Sequence, residues 1–335
     1  MSKTKKPGKH ATRLSHAGRD PGRFHGFVNT PIYRGSTVLY PTFDSLVADN
    51  QEFSYGRLGT PTVVALQEAL AELEGGHATL LTPSGLTAIT TAILSFVSSG
   101  DHILVSDSVY RPTRRFCETV LKRLGITTTY YDPVSGGGIA ELLTDRTKLV
   151  FTESPGSQTF EMQDIPAIAA AAHAAGAEVI MDNTWATPLY FKPFDHGVDI
   201  VVHAATKYIV GHADAMLGVI TMSETATAPV AKTHEILGLC PGPEDVYLAL
   251  RGLRTLAIRL QRHQETALAL GEWLSQRPEV ERVIHPARPD HPGHAFWKRD
   301  FTGSSGLFAI VLRPASRKAL AAMLDGLELF GMGYS

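Results

Sequence analysis

Short apolar runs alternate with helical patterns over most of the chain, and this alternation limits the possible folds more than any other feature. The runs recur between residues 79 and 222, and segments with helical spacing of apolar residues lie between many of them. Such an alternation is typical of a mostly parallel sheet covered by helices on both faces. Sheets of this class bind ligands at the carboxyl ends of their strands. The predicted strands are 79–81, 103–106, 127–131, 148–152, 178–181, 199–203 and 217–222.

The segments before and after this alternation have a different character. Residues 1–60 are rich in Gly, Pro, Thr and aromatic side chains without sustained periodicity, which predicts an extended arm that reaches a neighbouring subunit. Residues 61–255 begin with a helix whose start is marked by Thr60 and Pro61 and whose end is marked by Gly75. One long helix is predicted from about residue 244 to residue 274. Residues 256–335 then predict a linking helix and a smaller α+β domain.

Composition and charge exclude several classes of protein. The chain has 335 residues, is 44% hydrophobic and has 31 basic against 33 acidic side chains, a net charge of −2. It is therefore not a disordered chain, and it has no cationic field to attract nucleic acid or an anionic membrane. Two cysteines do not make a disulfide framework and fit a reducing compartment, which predicts a cytoplasmic location. No apolar run reaches the roughly 20 residues that cross a bilayer.

Three sets of residues follow predicted strands, and their combination indicates a ligand site. Asp182 directly follows one apolar strand, and Lys207 follows another with Ala and Thr rather than charges before it. A lysine in such a setting can act as a nucleophilic amine. Residues 82–87, Thr-Pro-Ser-Gly-Leu-Thr, lie between a strand and a helix, where free backbone amides bind phosphate. This segment lacks the glycine pattern of a nucleotide-binding loop, so a single phosphate is predicted.

A phosphate site, a carboxylate and a lysine are what pyridoxal phosphate requires. Lys207 would form the Schiff base, Asp182 would keep the pyridine nitrogen protonated, and the helix start at Gly85 would bind the phosphate. Tyr110, shortly after the strand 103–106, is the candidate for a ring stacked on the cofactor. An ordinary half-buried tyrosine is an equally good explanation of Tyr110.

Two other kinds of site are not predicted. His285, His291 and His294 share a proline-rich segment, but no carboxylate or thiolate accompanies them at the spacing of a known metal site. Ser84 follows Pro83 rather than the Gly-x of a nucleophile elbow, which argues against a serine hydrolase.

Four motifs resemble the Cys/Met-metabolism, or trans-sulfuration, family of fold-type-I pyridoxal-phosphate enzymes. They are Ser-Gly-Leu-Thr-Ala-Ile at 84–89, Asp-Asn-Thr-Trp at 182–185, Ala-Thr-Lys-Tyr at 205–208 with Gly-His at 211–212, and Arg-Gly-Leu-Arg-Thr-Leu at 251–256. The resemblance extends from about residue 16 onward. It implies an aspartate-aminotransferase-like α/β fold, with a mostly parallel seven-stranded sheet sandwiched by helices and a smaller C-terminal α+β domain.

The resemblance also implies roles for individual residues. Lys207 would bind pyridoxal 5'-phosphate covalently, Asp182 would contact the pyridinium nitrogen, and Tyr110 would stack on the ring. The implied phosphate ligands are Gly85, Leu86 and Thr206, joined by Tyr55 and Arg57 of a neighbouring subunit, and Ala204 is a further implied cofactor contact. Without the resemblance, a solvated loop is the simpler explanation of Tyr55 and Arg57. The implied assembly is a homotetramer, a dimer of dimers with shared active sites.

Within the family, residues 153–157, 211–216 and 296–306 are most similar to the carbon–sulfur β-lyases. This similarity implies elimination of L-cystathionine to L-homocysteine, pyruvate and ammonia, a step of methionine biosynthesis. Lys207, with Tyr110, would transfer the protons. Three alternatives stay open: a γ-lyase or γ-synthase, a cysteine-desulfhydrase-like enzyme, and a catalytically impaired or non-catalytic protein that keeps the fold.

The last residues depart from the family pattern. The sequence ends in Gly-Met-Gly-Tyr-Ser at 331–335, where family members continue with a Trp-Gly-Gly segment and a later Arg that binds the substrate α-carboxylate. The resemblance therefore predicts an incomplete C-terminal domain. It also predicts weaker substrate binding, by about 1.5 to 3 kcal/mol for a lost charged hydrogen bond. Ser335 and Tyr110 are the predicted substrate contacts.

Overall fold

A seven-stranded sheet lies at the centre of the protein. The structure is a computed structural model that describes residues 10–334. The strands of this sheet are β1 (Ala78–Thr82), β2 (His102–Ser106), β3 (Thr127–Tyr131), β4 (Thr147–Glu153), β5 (Glu178–Asp182), β6 (Ile200–Ala204) and β7 (Gly218–Met222). Their order is β1-β7-β6-β5-β4-β2-β3; β7 is antiparallel to both neighbours, and the other pairs are parallel. The predicted mostly parallel seven-stranded sheet is confirmed.

Helices cover both faces of the sheet. The α-helices are α1 (His10–His16), α2 (Phe43–Ala48), α3 (Pro61–Glu74), α4 (Gly85–Leu94), α5 (Arg111–Phe116), α6 (Ile165–Ala174), α7 (Thr187–Tyr190), α8 (Glu224–Ile236), α9 (Pro243–Leu253), α10 (Leu256–Ser275), α11 (His294–Asp300) and α12 (Arg317–Asp325). Short 3-10 segments lie at Pro21–Phe24, Gly136–Leu142 and Pro193–His196, and a π-helical turn, Cys117–Leu121, follows α5. Apolar residues of α4 and α8 pack on one face, and those of α3, α6 and α9 pack on the other. Every residue of β2 and β7 is consequently buried.

The start and end of α3 follow the sequence signals. The Thr60 hydroxyl accepts a hydrogen bond from the amide of Val63 at 3.3 Å, and Pro61 occupies the first helical position. Gly75 ends the helix in the left-handed region, at φ 89°. These caps place Glu74, the last residue of α3, beneath the sheet.

The single long helix predicted for residues 244–274 is wrong, because the structure has two helices, α9 and α10, at this place. At the break, the amides of Arg254 and Thr255 bond to carbonyls three residues back rather than four. Tertiary contacts account for the break. Arg254 turns away to donate to the carbonyls of Leu14 and Ala17, both at 2.8 Å.

The first sixty residues are only partly extended. Leu14, Ala17 and Phe24 are buried, so residues 12–24 pack against the body of the protein. The following segment exposes large apolar side chains, which are Phe27, Val28, Leu39, Phe43, Leu46, Val47 and Leu58. The division of the chain at residue 60 remains a prediction.

The C-terminal part forms a separate small sheet. Strands β8 (Val280–Ile284) and β9 (Ala309–Leu312) pair antiparallel, and α10 packs against β8. α12 has no buried residue. The boundary predicted at residue 256 coincides with the start of α10, and its meaning as a domain boundary remains a prediction. Within residues 10–334, no helix has the length and apolar character needed to cross a membrane.

Candidate cofactor site

Several strands end at one edge of the sheet, where the candidate residues lie. Because β7 is antiparallel to both β1 and β6, the carboxyl ends of β1 and β6 share the edge at which the parallel strands β2, β4 and β5 end. Gly85, Tyr110, Asp182 and Lys207 all follow or terminate these strands. The edge is therefore the place where an α/β sheet is expected to bind a ligand.

The turn after β1 leads directly into the N-terminus of α4. The Ser84 hydroxyl caps this helix by accepting a hydrogen bond from the Thr87 amide at 3.1 Å. The amides of Gly85 and Leu86 have no acceptor among the residues that the structure describes. Free amides at the positive end of a helix favour an anion such as a phosphate.

The loop after β6 packs closely on this helix start. A Cβ atom on Gly85 would lie 2.6 Å from the Cβ and 2.7 Å from the Cα of Ala204. A Cβ atom on Gly218, the first residue of β7, would lie 2.1 Å from the carbonyl oxygen of Ser84. The two glycines therefore allow the α4 turn and the β6 loop to meet, although β7 separates β1 from β6 in the sheet.

Asp182 is the last residue of β5, and its carboxylate is buried. Its Oδ1 atom accepts hydrogen bonds from the Thr184 amide at 2.9 Å and the Thr184 hydroxyl at 2.5 Å. Burial raises the pKa of Asp182 above its ordinary value, and the two hydrogen bonds from Thr184 reduce this rise without reversing it. Oδ2 has no hydrogen-bond donor within residues 10–334. A protonated ring nitrogen at Oδ2 would satisfy this atom and stabilise the buried charge.

Lys207 lies in the turn that follows β6, and its side chain is half-buried. Its amide donates to the Ala204 carbonyl at 3.1 Å, and its carbonyl accepts from the Gly211 amide at 2.7 Å. In the described part of the chain, its amine has neither a hydrogen-bond partner nor an ion pair. The Lys207 backbone is therefore fixed in this turn, and its amine is not engaged by another group of the described chain.

Contacts from α10 hold the Lys207 turn. Arg259 donates to the carbonyl of Tyr208 at 2.8 Å and to that of Gly252 at 2.9 Å. A Cβ atom on Gly252 would lie 2.3 Å from the Ile209 carbonyl oxygen, so only glycine fits against this turn. The motif at 251–256 thus packs against the lysine turn and anchors α1 through Arg254.

Thr206 lies next to Lys207 and is bonded to the start of β7. Its hydroxyl accepts from the Leu217 amide at 3.0 Å and lies 3.3 Å from the Leu217 carbonyl oxygen. These bonds fix the hydroxyl at the sheet edge. A role for Thr206 in phosphate binding remains a prediction.

Tyr110 occupies the position before α5, and the residue is 43% exposed. Its amide donates to Oε2 of Glu153, the last residue of β4, at 2.7 Å. Burial, and then the charge of the neighbouring Asp182, raise the pKa of Glu153 well above its usual range. A neutral Glu153 carboxyl therefore orients the backbone that carries the accessible Tyr110 ring.

Tyr55 and Arg57 lie in the arm rather than beside Lys207. The Arg57 guanidinium donates to the Glu235 carbonyl at 3.0 Å, and Tyr55 is 44% exposed. Both side chains line a cavity of about 560 Å³ whose lining residues include neither Gly85 nor Lys207. Ser335, the predicted substrate contact, lies outside the described residues.

Four residues that support this edge were not predicted from the sequence: Glu74, Glu153, Thr184 and Arg259. Thr184 and Glu153 occur inside strings that were noted for their resemblance to the family, so a signal for them was present. Glu74 and Arg259 act through contacts far along the chain, and no local pattern marks them.

The three histidines of the proline-rich segment have structural partners. The Nδ1 atoms of His285 and His291 accept from backbone amides two residues on, at 3.1 and 3.0 Å. Burial lowers the pKa of His285 to about 4, so its ring is neutral at pH 7. No cluster of three metal-binding side chains occurs within residues 10–334.

The sheet edge fits pyridoxal 5'-phosphate. The α4 start offers free amides in a cradle that a Cβ atom at residue 85 would fill, and Lys207 offers a free amine. Asp182, a buried residue, offers a carboxylate oxygen that accepts no hydrogen bond in the described chain. A doubly covered α/β sheet with these groups at its carboxyl edge defines the class of fold-type-I pyridoxal-phosphate enzymes.

Comparisons with known proteins identify the family. Residues 11–335 match the family described as Cys/Met metabolism PLP-dependent enzyme, and the chain belongs to that family. Its cofactor is pyridoxal 5'-phosphate. The chain is 53% identical to a "Putative cystathionine beta-lyase" of Rhizobium johnstonii over 97% of this chain and 83% of that protein. It is 44% identical to "Cystathionine beta-lyase MetC" of Escherichia coli, over 97% of this chain and 84% of that one.

A solved structure agrees with the fold. The crystal structure of metB from Corynebacterium glutamicum matches 98% of this chain and 84% of its own, with a TM-score of 0.93 and 30% sequence identity. The expected fold-type-I architecture is confirmed.

The close approach at Gly85 leads to a prediction. Gly85→Ala places a methyl group against the Ala204 backbone, which must move away from the α4 start. We expect the affinity for pyridoxal phosphate to fall by about tenfold or more, since a charge-assisted hydrogen bond contributes roughly 1.5 to 3 kcal/mol. Titration of the cofactor-free protein, followed by absorbance, measures this affinity.

Gly137→Ala is the matched control, because Gly137 is exposed and a Cβ atom there would meet ordinary contacts at 3.7 Å. Unchanged affinity in Gly85→Ala, equal to that of the control, would show that this helix start does not bind the phosphate.

Proposed function

We propose that this protein is a cystathionine β-lyase, which converts L-cystathionine and water to L-homocysteine, pyruvate and ammonia. The observation that carries the proposal is the free amine of Lys207 at the same sheet edge as the buried Asp182 carboxylate and the open N-terminus of α4. Membership of the family supports a reaction that depends on pyridoxal phosphate. The names of the Rhizobium johnstonii and Escherichia coli relatives support β-elimination.

Residues at the edge would hold the cofactor in the following way. Lys207 would bind it covalently through Nζ, and Asp182 Oδ2 would accept a hydrogen bond from the ring nitrogen. Tyr110 would pack on the ring face, since its ring is accessible. The phosphate would be bound by Gly85, Leu86 and Thr206, and Ala204 would contact the cofactor beside them.

The chain's own groups then move the protons of the elimination. The bound cofactor supplies a conjugated ring that accepts the electron pair released at the substrate α-carbon. When the substrate amino group takes the place of Lys207 on the cofactor, Lys207 Nζ is released as a free amine. This amine would remove the α-proton, since no hydrogen bond or ion pair engages it in the described chain. The Cβ–S bond breaks, and the sulfur leaves with its electron pair. Lys207, with Tyr110, returns a proton to this sulfur, and hydrolysis of the remaining three-carbon unit yields pyruvate and ammonia.

Glu153 supports the role given to Tyr110. Its hydrogen bond to the Tyr110 amide keeps the start of α5 against the end of β4, next to Asp182. Because burial and the Asp182 charge favour the neutral form of Glu153, its carboxyl does not compete with Asp182 for a cationic ring nitrogen.

A second chain would complete the site. Tyr55 and Arg57 lie in an arm with many exposed apolar side chains, which is consistent with burial against another copy. In that arrangement, Tyr55 and Arg57 would reach the phosphate of the partner's cofactor, within a homotetramer built as a dimer of dimers. The protein would work in the cytoplasm on a small amino acid, without nucleic acid or membrane as partner.

Product analysis tests the proposed function. The purified 335-residue chain is loaded with pyridoxal phosphate, its visible spectrum is recorded, and L-cystathionine is added while keto acids and thiols are measured. We expect a visible band of protein-bound cofactor, followed by equal amounts of pyruvate, ammonia and homocysteine.

Other products would contradict the proposal. Formation of 2-oxobutyrate with cysteine would indicate a γ-lyase, and recovery of substrate with inverted configuration at the α-carbon would indicate a racemase. Pyruvate from cysteine but not from cystathionine would indicate a desulfhydrase. A cofactor band without any product would identify a protein that binds the cofactor but lacks the activity.

A further inference from the structure

Glu74 is a buried carboxylate in an unfavourable place. It is the last residue of α3 and is 1% exposed, so its charge lies at the negative end of a helix and away from water. A buried charge is costly unless it is hydrogen-bonded and paired. The hydrogen-bond partners of Glu74 therefore indicate its structural role.

Glu74 binds the two chain segments that carry the proposed cofactor ligands. Its Oε1 atom accepts a hydrogen bond from Asn183 Nδ2 at 2.9 Å, and its Oε2 atom accepts from His203 Nε2 at 2.8 Å. Asn183 directly follows Asp182, and His203 directly precedes Ala204 and the Lys207 turn. One carboxylate from α3 thus joins the end of β5 to the end of β6.

A second connection joins the same segments on the opposite face of the sheet. The Thr184 hydroxyl donates to Asp182 Oδ1 at 2.5 Å and accepts from the Ala204 amide at 2.9 Å. Successive side chains of a strand point to opposite faces, so Asp182 and Asn183 face opposite sides. The ends of β5 and β6 are therefore connected by hydrogen bonds on both faces of the sheet. Asp182 and Thr184 make the connection on one face, and Glu74 makes it on the other.

A cation lies close to this cluster. Lys192 donates to the carbonyl of Leu73, next to Glu74, and the Glu74 charge raises the pKa of Lys192 against the lowering by burial. The Glu74 carboxyl thus has a hydrogen-bond donor in His203 and a nearby amine in Lys192. His203 Nδ1 has no hydrogen-bond partner in the described chain, so the His203 ring is engaged only through Nε2.

We propose that Glu74 is a positioning residue that sets the separation between Asp182 and Lys207 through its bonds to Asn183 and His203. The proposal rests on the proposed function, in which Asp182 and Lys207 contact different parts of one cofactor. Because that molecule is rigid, a shift of one strand end relative to the other would weaken its binding and misplace the amine.

Four variants test the proposal. Glu74→Ala and His203→Leu remove the connection, whereas Glu74→Gln keeps an acceptor for Asn183 and a polar partner for His203 in its other tautomer. Thr221→Val is the control, since it removes a buried hydrogen bond of 2.9 Å to Thr79 between β1 and β7, away from Asp182 and Lys207.

The first measurement is hydrogen exchange in the cofactor-free proteins. The amide of Asn183 bonds to the Val202 carbonyl at 3.0 Å, and that of Ala204 bonds to Thr184. We expect both amides to exchange about tenfold faster or more in Glu74→Ala and His203→Leu, and at rates near wild type in Thr221→Val and Glu74→Gln. This readout does not depend on the cofactor or on activity.

The second measurement is made on the loaded enzyme. For Glu74→Ala and His203→Leu we expect cofactor affinity and kcat to fall by about tenfold or more, with KM changed by less than about threefold. The double variant is expected to be no worse than either single variant, because both remove the same connection.

Defined outcomes overturn the proposal. It fails if the amide exchange rates, the cofactor affinity and kcat of Glu74→Ala and His203→Leu match those of Thr221→Val. In that case Glu74 would contribute to stability alone. It also fails if Glu74→Gln is as impaired as Glu74→Ala. If the wild type itself binds no cofactor, the proposed function is wrong, and the exchange rates still decide whether Glu74 holds the two segments together.

Discussion

Lys207→Ala is expected to lose the covalently bound cofactor and to lower kcat by about 10³-fold or more. The side chain has two functions in the proposed reaction, since it binds the cofactor and transfers the α-proton, and general acid–base catalysis alone contributes about 10² to 10⁴-fold. The measurement combines the visible spectrum, reduction with borohydride followed by mass spectrometry, and pyruvate release.

Lys232→Ala is the matched control, because Lys232 is an exposed lysine on α8. It is expected to keep the covalent cofactor and to have activity within about twofold of wild type, as is usual for surface substitutions. Borohydride reduction that still labels the Lys207→Ala protein, or pyruvate release at the wild-type rate, would rule out the assignment of Lys207.

Asp182→Ala is expected to lower kcat by about 10² to 10³-fold, the range seen when one preorganised electrostatic contact is removed from an active site. The reason is that the Oδ2 atom of this buried residue has no donor in the described chain and is available to stabilise a protonated ring nitrogen. Asp182→Glu retains the charge and is expected to keep more activity than Asp182→Asn. Steady-state kinetics with L-cystathionine at saturating cofactor measure these differences.

Asp199→Asn serves as the control for loss of a carboxylate. Asp199 precedes β6 at the opposite edge of the sheet, where its Oδ2 atom accepts from the Val179 amide at 2.8 Å. Its replacement is expected to affect stability but to leave kcat within about twofold of wild type. Equal kcat values in Asp182→Asn and Asp199→Asn would remove Asp182 from the site.

Much of the fold could be predicted from local patterns. The seven strands lie within one or two residues of their predicted positions, because most of them are short apolar runs and β3, Thr-Thr-Thr-Tyr-Tyr, consists of residues that favour strands. The Thr60-Pro61 start of α3 is also local, since the cap and the helix it stabilises are adjacent in the chain. The break between α9 and α10 is not local, because Arg254 leaves the helix to bind carbonyls of α1, some 240 residues earlier.

In the candidate site, too, some features could be predicted from local patterns and others could not. Asp182, Lys207 and Gly85 each occupy a position that a strand end or a helix start marks in the sequence, and their type of chemistry follows from that position. The supporting contacts of Arg259 and Glu74 join residues 50 to 130 positions apart along the chain. No periodicity or motif in the sequence indicates a contact between residues so far apart along the chain.

The amino-acid sequence by itself determined the fold class, the family resemblance and the positions of Lys207, Asp182 and Gly85 at strand ends, because these depend on hydrophobic spacing and on short motifs. Only the tertiary structure decided how these residues are held. The α4 start meets the end of β6 because Gly85 and Gly218 leave room for it, and Glu74 reaches the β5 and β6 ends from the last turn of α3. Such contacts depend on which elements become neighbours, and burial makes each of them strong enough to position the site.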